Sequence, residues 1–276
     1  MNCSLCEDTG WRPVVVDGVR RVERCECWRS SLIDRLVREA SIPDRYRHCD
    51  LDSFRDNNDS LTKAVRTCRR FLDEWAAERK GLFFIGKPGL GKTHLAVAVL
   101  KEFIQRTHLR GRFCDVRELL KQIRYTYNPV VQSTELDVIR PVMECDLLVL
   151  DDIGAERVTE WVAETLNLIV STRYNQRRMT LFTSNYDIKE DLADPESLPV
   201  RLGYRMWSRV HEMCDFVHLT GIDYREAGPE PSIEELSRLD KRGSLSHRLD
   251  PRRKGMIKAQ LKPTRELGWT GGKGGS

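Results

Sequence analysis

Residues 81–96, GLFFIGKPGLGKTHLA, constrain this chain more than any other stretch. An apolar run, a glycine-rich turn and a helical pattern follow one another without a gap. The turn fits G-x-x-x-x-G-K-[ST], running from Gly86 through Lys87, Pro88, Gly89, Leu90, Gly91 and Lys92 to Thr93. Its glycines let the backbone curl until several N–H groups face one anion, and the following helix adds its positive dipole end. Lys92 is expected to reach the β- and γ-phosphates of ATP and Thr93 to bind Mg2+, with His94 beside them in the nucleotide cradle. A strand feeding such a turn belongs to an α/β fold, and the rest of the chain must supply the remaining strands.

It does so by alternation. Strands are expected near 82–86, 112–116, 146–151, 179–184 and 215–220. Helices are expected near 92–107, 116–127, 134–144, 159–178 and 198–211. Strands alternating with helices make a parallel sheet flanked by helices. Upstream, residues 29–40 place Leu32, Ile33, Leu36 and Val37 on one helical face. Residues 60–79 do the same with Ala64, Val65, Cys68, Phe71, Leu72 and Trp75. The 276 residues suffice for one α/β domain of about 200 residues plus attachments. The expected division is a cysteine knuckle at 1–28, a helix and connector at 29–57, the sheet domain at 58–225 and a tail at 226–276.

Three further segments carry chemistry. In CDLLVLDDIGAE, the apolar run Leu147–Leu150 reads as a buried strand ending in Asp151 and Asp152. Carboxylates at the C-terminal end of such a strand lie beside the phosphate loop of an α/β sheet. Asp151 is expected to hold Mg2+, directly or through water, and Asp152 to orient the attacking water. Glu156 is the weaker candidate for that second role. MTLFTSNYD ends another apolar strand and offers Asn185 to the γ-phosphate or the water. In RLGYRMWSRVHEM, Arg205 and Arg209 are four apart and share a helical face. A guanidinium there either stabilises charge on the transferring phosphoryl, in cis or from a neighbouring subunit, or belongs to a solvated basic face.

The nine cysteines are an odd number in a chain without an export pattern, which argues against a disulfide framework. Cys49, Cys68, Cys114, Cys145 and Cys214 are scattered and read as reduced thiols. The other four are grouped as Cys3-x-x-Cys6 and Cys25-x-Cys27. Between the pairs, RPVVVDGVRRVER suits a hairpin turning at Asp17-Gly18. A hairpin returns its ends to one place, so the four thiolates are expected to share one Zn2+. The alternative is four unrelated thiols on an N-terminal tail.

The net charge of +4 is uneven: residues 236–276 carry +8, so the remainder carries −4. A basic end can follow nucleic-acid phosphates or be a flexible, solvated terminus with one short helix at 232–241. No apolar run approaches the ~18 residues of a membrane helix, and a soluble cytoplasmic protein is expected. Residues 117–127 combine Arg117, Lys121 and Arg124 with Tyr125 and Tyr127, which suits either single-stranded nucleic acid or an ordinary amphipathic helix.

Taken in order, GKPGLGKT, LLVLDDIGAE, FTSNY, YRMWSRV and GIDYR resemble the helicase-loader branch of the AAA+ ATPases, the DnaC/DnaI and IstB-like group. IPDRYRHCDLDSF and the cysteine knuckle that runs into TGW carry the same resemblance, over residues 1–225. It implies a five-stranded core of order 5-1-4-3-2 without a helical lid, and self-association through the ATP interface. It implies an arginine supplied in trans, mapped to Arg209 with Arg205 in support. It also implies two partners, the replicative hexameric helicase and single-stranded DNA; an IstB-type transposition helper has the same core. Asp152 departs from the Glu of many AAA+ proteins. Being one methylene shorter, it implies slow hydrolysis, with ATP acting as a switch, or binding with little turnover. A small-molecule kinase fits less well, because it needs an acceptor pocket and an arginine-rich lid.

Overall fold

Sequence period and observed burial agree along the central strands, which bury every residue and split their side chains between two helical layers. The computed structural model describes residues 3–7, 9–189, 194–226, 235–236 and 238–239. The elements are β1 (Trp11–Val16), β2 (Val19–Arg24), α1 (Glu26–Glu39), α2 (Asp59–Glu78), β3 (Gly81–Ile85), α3 (Lys92–Thr107), β4 (Gly111–Asp115), α4 (Val116–Tyr125), α5 (Glu135–Glu144), β5 (Leu147–Asp151), α6 (Glu160–Asn175), β6 (Met179–Ser184), α7 (Leu198–Leu202), α8 (Tyr204–Met213) and β7 (Cys214–His218).

β3 to β7 form a parallel sheet of order β4-β5-β6-β3-β7. Numbered within the sheet, this is the expected 5-1-4-3-2. Leu82, Phe84, Leu147, Val149 and Leu181 face the layer that holds α1, α2 and α3. Phe83, Ile85, Leu148, Leu150 and Phe182 face the layer of α4 to α8. The period of two makes a strand buried on both faces serve both cores. Parallel order also brings the C-terminal ends of β3, β4, β5 and β6 to one edge, where the site lies.

Helix ends follow local chemistry. Asn58 caps α2 by accepting from the Leu61 N–H, and Thr134 with Asp137 forms a capping box on α5. On α2, Leu61, Ala64, Cys68, Phe71 and Leu72 are buried, with Val65 and Trp75 packed at the margin. The single helix expected over 198–211 is two. Gly203, at φ 78° and ψ 141°, turns the chain between α7 and α8, because these angles favour glycine. The helix expected from residue 29 starts at Glu26, since Cys25 takes the extended N-cap position.

β1 and β2 form the expected antiparallel hairpin, Val16 opposite Val19. Asp17 (φ 54°) and Gly18 (φ 75°) supply the two positive φ angles of its turn. Every residue of β2 is exposed, so the hairpin has no core of its own. Of the expected tail, residues 235–236 and 238–239 are helical; the basic stretch beyond lies outside the described residues. No helix among the described residues is long and apolar enough to cross a membrane.

Candidate nucleotide-binding site

The apolar strand β3 ends at Ile85, and the loop 86–91 turns the chain into α3. Gly91 caps that helix at φ 84°. A Cβ there would lie 2.5 Å from the Phe54 ring, so glycine is required on both counts. Lys92 is buried and its Nζ donates to the Lys87 carbonyl at 2.7 Å, holding the amine inside the loop. Burial draws Lys92 down to about 8, while the charges of Asp152 and Asp151 work the other way.

β5 delivers Asp151 to the same edge. Its Oδ1 accepts from Thr93 Oγ1 at 2.8 Å and from Thr183 Oγ1 at 2.7 Å. Burial pushes the Asp151 carboxyl up to about 6, and the two hydroxyls act in the opposite sense. A threonine hydroxyl and a carboxylate held together give the hard oxygen donors that Mg2+ prefers. Asp152 then takes left-handed angles (φ 59°), which Asp tolerates better than most residues. Its N–H donates to Thr183 Oγ1 at 2.8 Å. Asp152 Oδ1 accepts from Asn185 Nδ2 at 2.6 Å, and Arg117 stands 3.8 Å from Oδ2.

These groups surround a cavity of about 840 Å³, within the range of ligand sites. Pro88, Gly89, Leu90, Gly91, Lys92, Thr93, His94, Asp151, Asp152 and Asn185 all line it. Gly86 and Lys87 do not: Gly86 packs against the Leu219 carbonyl, and Lys87 acts through its own carbonyl. The His94 ring meets the Asp50 carbonyl at 2.8 Å and the edge of Phe54. Glu156 lies outside, beside the Gly154 N–H.

Arg205 and Arg209 also lie outside this cavity. Arg205 is exposed. Arg209 donates to the Arg205 carbonyl at 2.9 Å and sits 6.0 Å from the Tyr174 ring centroid. They do not reach their own chain's nucleotide site.

Among the lining residues absent from the expected site are three groups. Thr183 joins Asp151 to the backbone of Asp152; its signal was a polar residue two places before Asn185, on the same strand face. Tyr46 and Phe54 come from the connector before α2, and Ile222, Tyr224 and Arg225 from the segment after β7. Nothing in local spacing marks those two segments as parts of one pocket.

The four grouped cysteines do converge. Cys3 Sγ lies 3.7 Å from Cys25 Sγ and Cys6 Sγ 3.2 Å from Cys27 Sγ, and all four lie within 4.8 Å of one another. A tetrahedral Zn2+ with Zn–S bonds of ~2.3 Å needs sulfurs roughly 3.8 Å apart, so the set fits that ion. The hydrogen bond between them draws Cys6 down to about 7 and pushes Cys27 up. The remaining cysteines are buried free thiols.

A phosphate loop entering α3, a Thr–Asp pair beneath it, an Asp–Asn pair beside it and the 5-1-4-3-2 sheet define an ATP-binding domain of the AAA+ class. Comparison with known proteins refines this. The model of the IstB-like ATP binding protein family matches residues 20–227, and the chain belongs to that family. The replicative helicase loader DnaC of Buchnera aphidicola (Acyrthosiphon pisum, strain APS) is 27% identical over 181 residues, covering 63% of this chain and 72% of that protein. DnaC of Escherichia coli K12 is 25% identical over 185 residues, covering 65% and 74%. A crystal structure of the DnaC helicase loader superposes with a TM-score of 0.58 at 33% identity, covering 64% of this chain and all of the other.

Proposed function

We propose that this chain is an ATPase of DNA replication that loads the replicative hexameric helicase and uses ATP as an assembly-release switch. The joining of Thr93 to Asp151 across loop and strand is the observation that carries the ATPase reading. In this reading Thr93 and Asp151 hold Mg2+, Lys92 neutralises the β- and γ-phosphates, and the loop amides with His94 enclose the triphosphate. Asp152 orients the attacking water, with Asn185 fixing its carboxylate. The short Asp152 side chain keeps hydrolysis slow until DNA or a partner engages.

The position of Arg209 supports a role in trans. It lies on α8 away from its own cavity, so its guanidinium completes the site of a neighbouring copy, with Arg205 in support. ATP then bridges two subunits, and loss of the γ-phosphate loosens them. The units acting together are the knuckle (1–28), the helix and connector (29–57), the ATPase domain (58–225) and the basic tail (226–276). Zn2+ on Cys3, Cys6, Cys25 and Cys27 folds the hairpin as a contact for the helicase. Tyr125 and Tyr127 are exposed and stand with Lys121 as a contact for single-stranded DNA. The Tyr127 hydroxyl is fixed to Glu135 at 2.9 Å and accepts from Trp161 at 3.1 Å, and its ring meets the Trp161 ring edge to face.

A second reading, a transposition helper, is favoured by the family's IstB-like character. Affinity capture of the tagged chain from its native cell in the presence of ATP separates the two. The helicase is expected among the captured proteins; a transposase in its place would overturn the loader reading.

A further inference from the structure

The sulfurs of the N-terminal knuckle are hydrogen-bonded in pairs across the hairpin. Cys3 Sγ meets Cys25 Sγ at 3.7 Å, and Cys6 Sγ meets Cys27 Sγ at 3.2 Å. Each pair joins one member of Cys3-x-x-Cys6 to one member of Cys25-x-Cys27. Each pair also combines a half-buried sulfur with a buried one: Cys3 with Cys25, and Cys27 with Cys6. A small solute therefore reaches one sulfur of each pair and finds the second directly behind it.

Contacts that involve no sulfur hold the same ends of chain together. Cys25 donates its N–H to the Gly10 carbonyl at 2.9 Å. The Arg24 guanidinium lies 4.0 Å from the Trp11 ring centroid and 4.6 Å from that of Trp28, a stack that ties β1, β2 and α1 beside the knuckle. The other five cysteines are placed differently. Cys49, Cys68, Cys114, Cys145 and Cys214 are all buried. Burial pushes the Cys49 and Cys114 thiols up to about 11 and raises Cys68, Cys145 and Cys214 as well. Those five stay protonated, whereas a thiol that ligates Zn2+ is already a thiolate, the form that attacks an oxidant. An accessible thiolate backed by a second sulfur is the arrangement in which a sulfenic acid is captured as a disulfide.

We propose that the knuckle is a site of oxidative modification, at which a hydroperoxide exchanges bound Zn2+ for two disulfides, Cys3–Cys25 and Cys6–Cys27. In each pair the half-buried thiolate, Cys3 or Cys27, attacks a peroxide oxygen; an S–O bond forms, the O–O bond breaks and hydroxide leaves. The buried partner attacks that sulfur, the S–S bond forms and the sulfenic oxygen leaves as a second hydroxide. Four thiolates, two hydrogen peroxide molecules and four protons thus give two disulfides and four waters, and Zn2+ is released. This rests on the zinc reading of the four cysteines. Because both bonds cross the hairpin, the oxidised knuckle stays closed. It loses the net negative charge that Zn2+ carries with four thiolates, so the surface offered to a partner changes without unfolding.

The test adds hydrogen peroxide to the purified full-length chain with its zinc bound. Released zinc is read with a chromogenic chelator, and disulfides are mapped by mass spectrometry of unreduced peptides. Loss of the bound zinc is expected, with peptides linked Cys3–Cys25 and Cys6–Cys27. The five interior thiols should remain open to alkylation once the chain is denatured. Dithiothreitol followed by a zinc salt should restore the metal. Any other linkage among the four cysteines, or oxidation of the interior thiols ahead of them, would overturn the proposal. Zinc retained under peroxide with the four thiols unoxidised removes the exchange and leaves the zinc reading standing. A chain that purifies without zinc removes both.

Discussion

Asp151→Asn should make the nucleotide-free protein more stable while abolishing Mg2+-dependent binding. Asp151 is held among buried groups, and the first consequence is a carboxyl raised from 3.8 to about 6. An ionised carboxylate with a raised folded-state pKa opposes folding. The difference of about two pKa units corresponds to roughly 3 kcal/mol near pH 7.5, at ~1.36 kcal/mol per unit. The sign follows from proton binding. Between about pH 4 and 6 the folded state holds more protons than the unfolded state, so the penalty is absent at low pH and complete above the folded pKa. It should fall to roughly half by pH 5. Asparagine keeps an Oδ1 that accepts from Thr93 and Thr183. Its amide also replaces a charge that lies near Asp115 and Asp152, both of which push the carboxyl up. For a domain of this size the gain amounts to about 6–12 °C in Tm at pH 7.5. Thermal and urea unfolding of both proteins, without nucleotide, at pH 7.5 and pH 5 measures it. A variant no more stable than wild type at pH 7.5, or a gap that does not narrow at pH 5, would refute the electrostatic account. Added Mg-ATP should raise the Tm of the wild type and leave that of the variant unchanged.

Two further outcomes test the remaining parts. Arg209→Ala should lose ATP hydrolysis, and mixing it with Lys92→Ala should restore turnover, because the second chain brings an intact arginine to the first chain's intact site; phosphate release in the mixture checks this, and no recovery at any ratio rules out the trans role. Metal analysis of purified protein should find one zinc per chain, lost in Cys3→Ser together with hairpin protection from proteolysis; a metal-free wild type removes the zinc reading.

Much of the architecture was legible because its signals are local. The all-apolar run 147–150, the loop 86–93 and the Asp17-Gly18 turn each encode an element within a few residues. The boundaries that moved did so for backbone reasons as local as those signals. Gly203 interrupts what periodicity alone reads as one helix, and Cys25 sets a helix start three residues early. Arg173 is a different case. On sequence it is one more basic residue of α6. In the fold it is fully buried and donates to the carbonyls of Val142, Met143 and Cys145 at the end of α5, and to Thr180 on β6.

By itself, then, the sequence determined a triphosphate loop on a parallel sheet, a carboxylate pair to follow it and a four-thiol knuckle. The first two depend on short motifs and one periodic pattern, and the third on a hairpin whose turn is marked locally by Asp17-Gly18. Only the tertiary structure decided that Thr183 bridges Asp151 to Asp152, and that Tyr46 and Phe54 from one segment and Tyr224 and Arg225 from another line the same cavity as Lys92. A parallel sheet aligns strand ends that are far apart in the chain, and what meets at that edge is set by strand order and register, which no local spacing records.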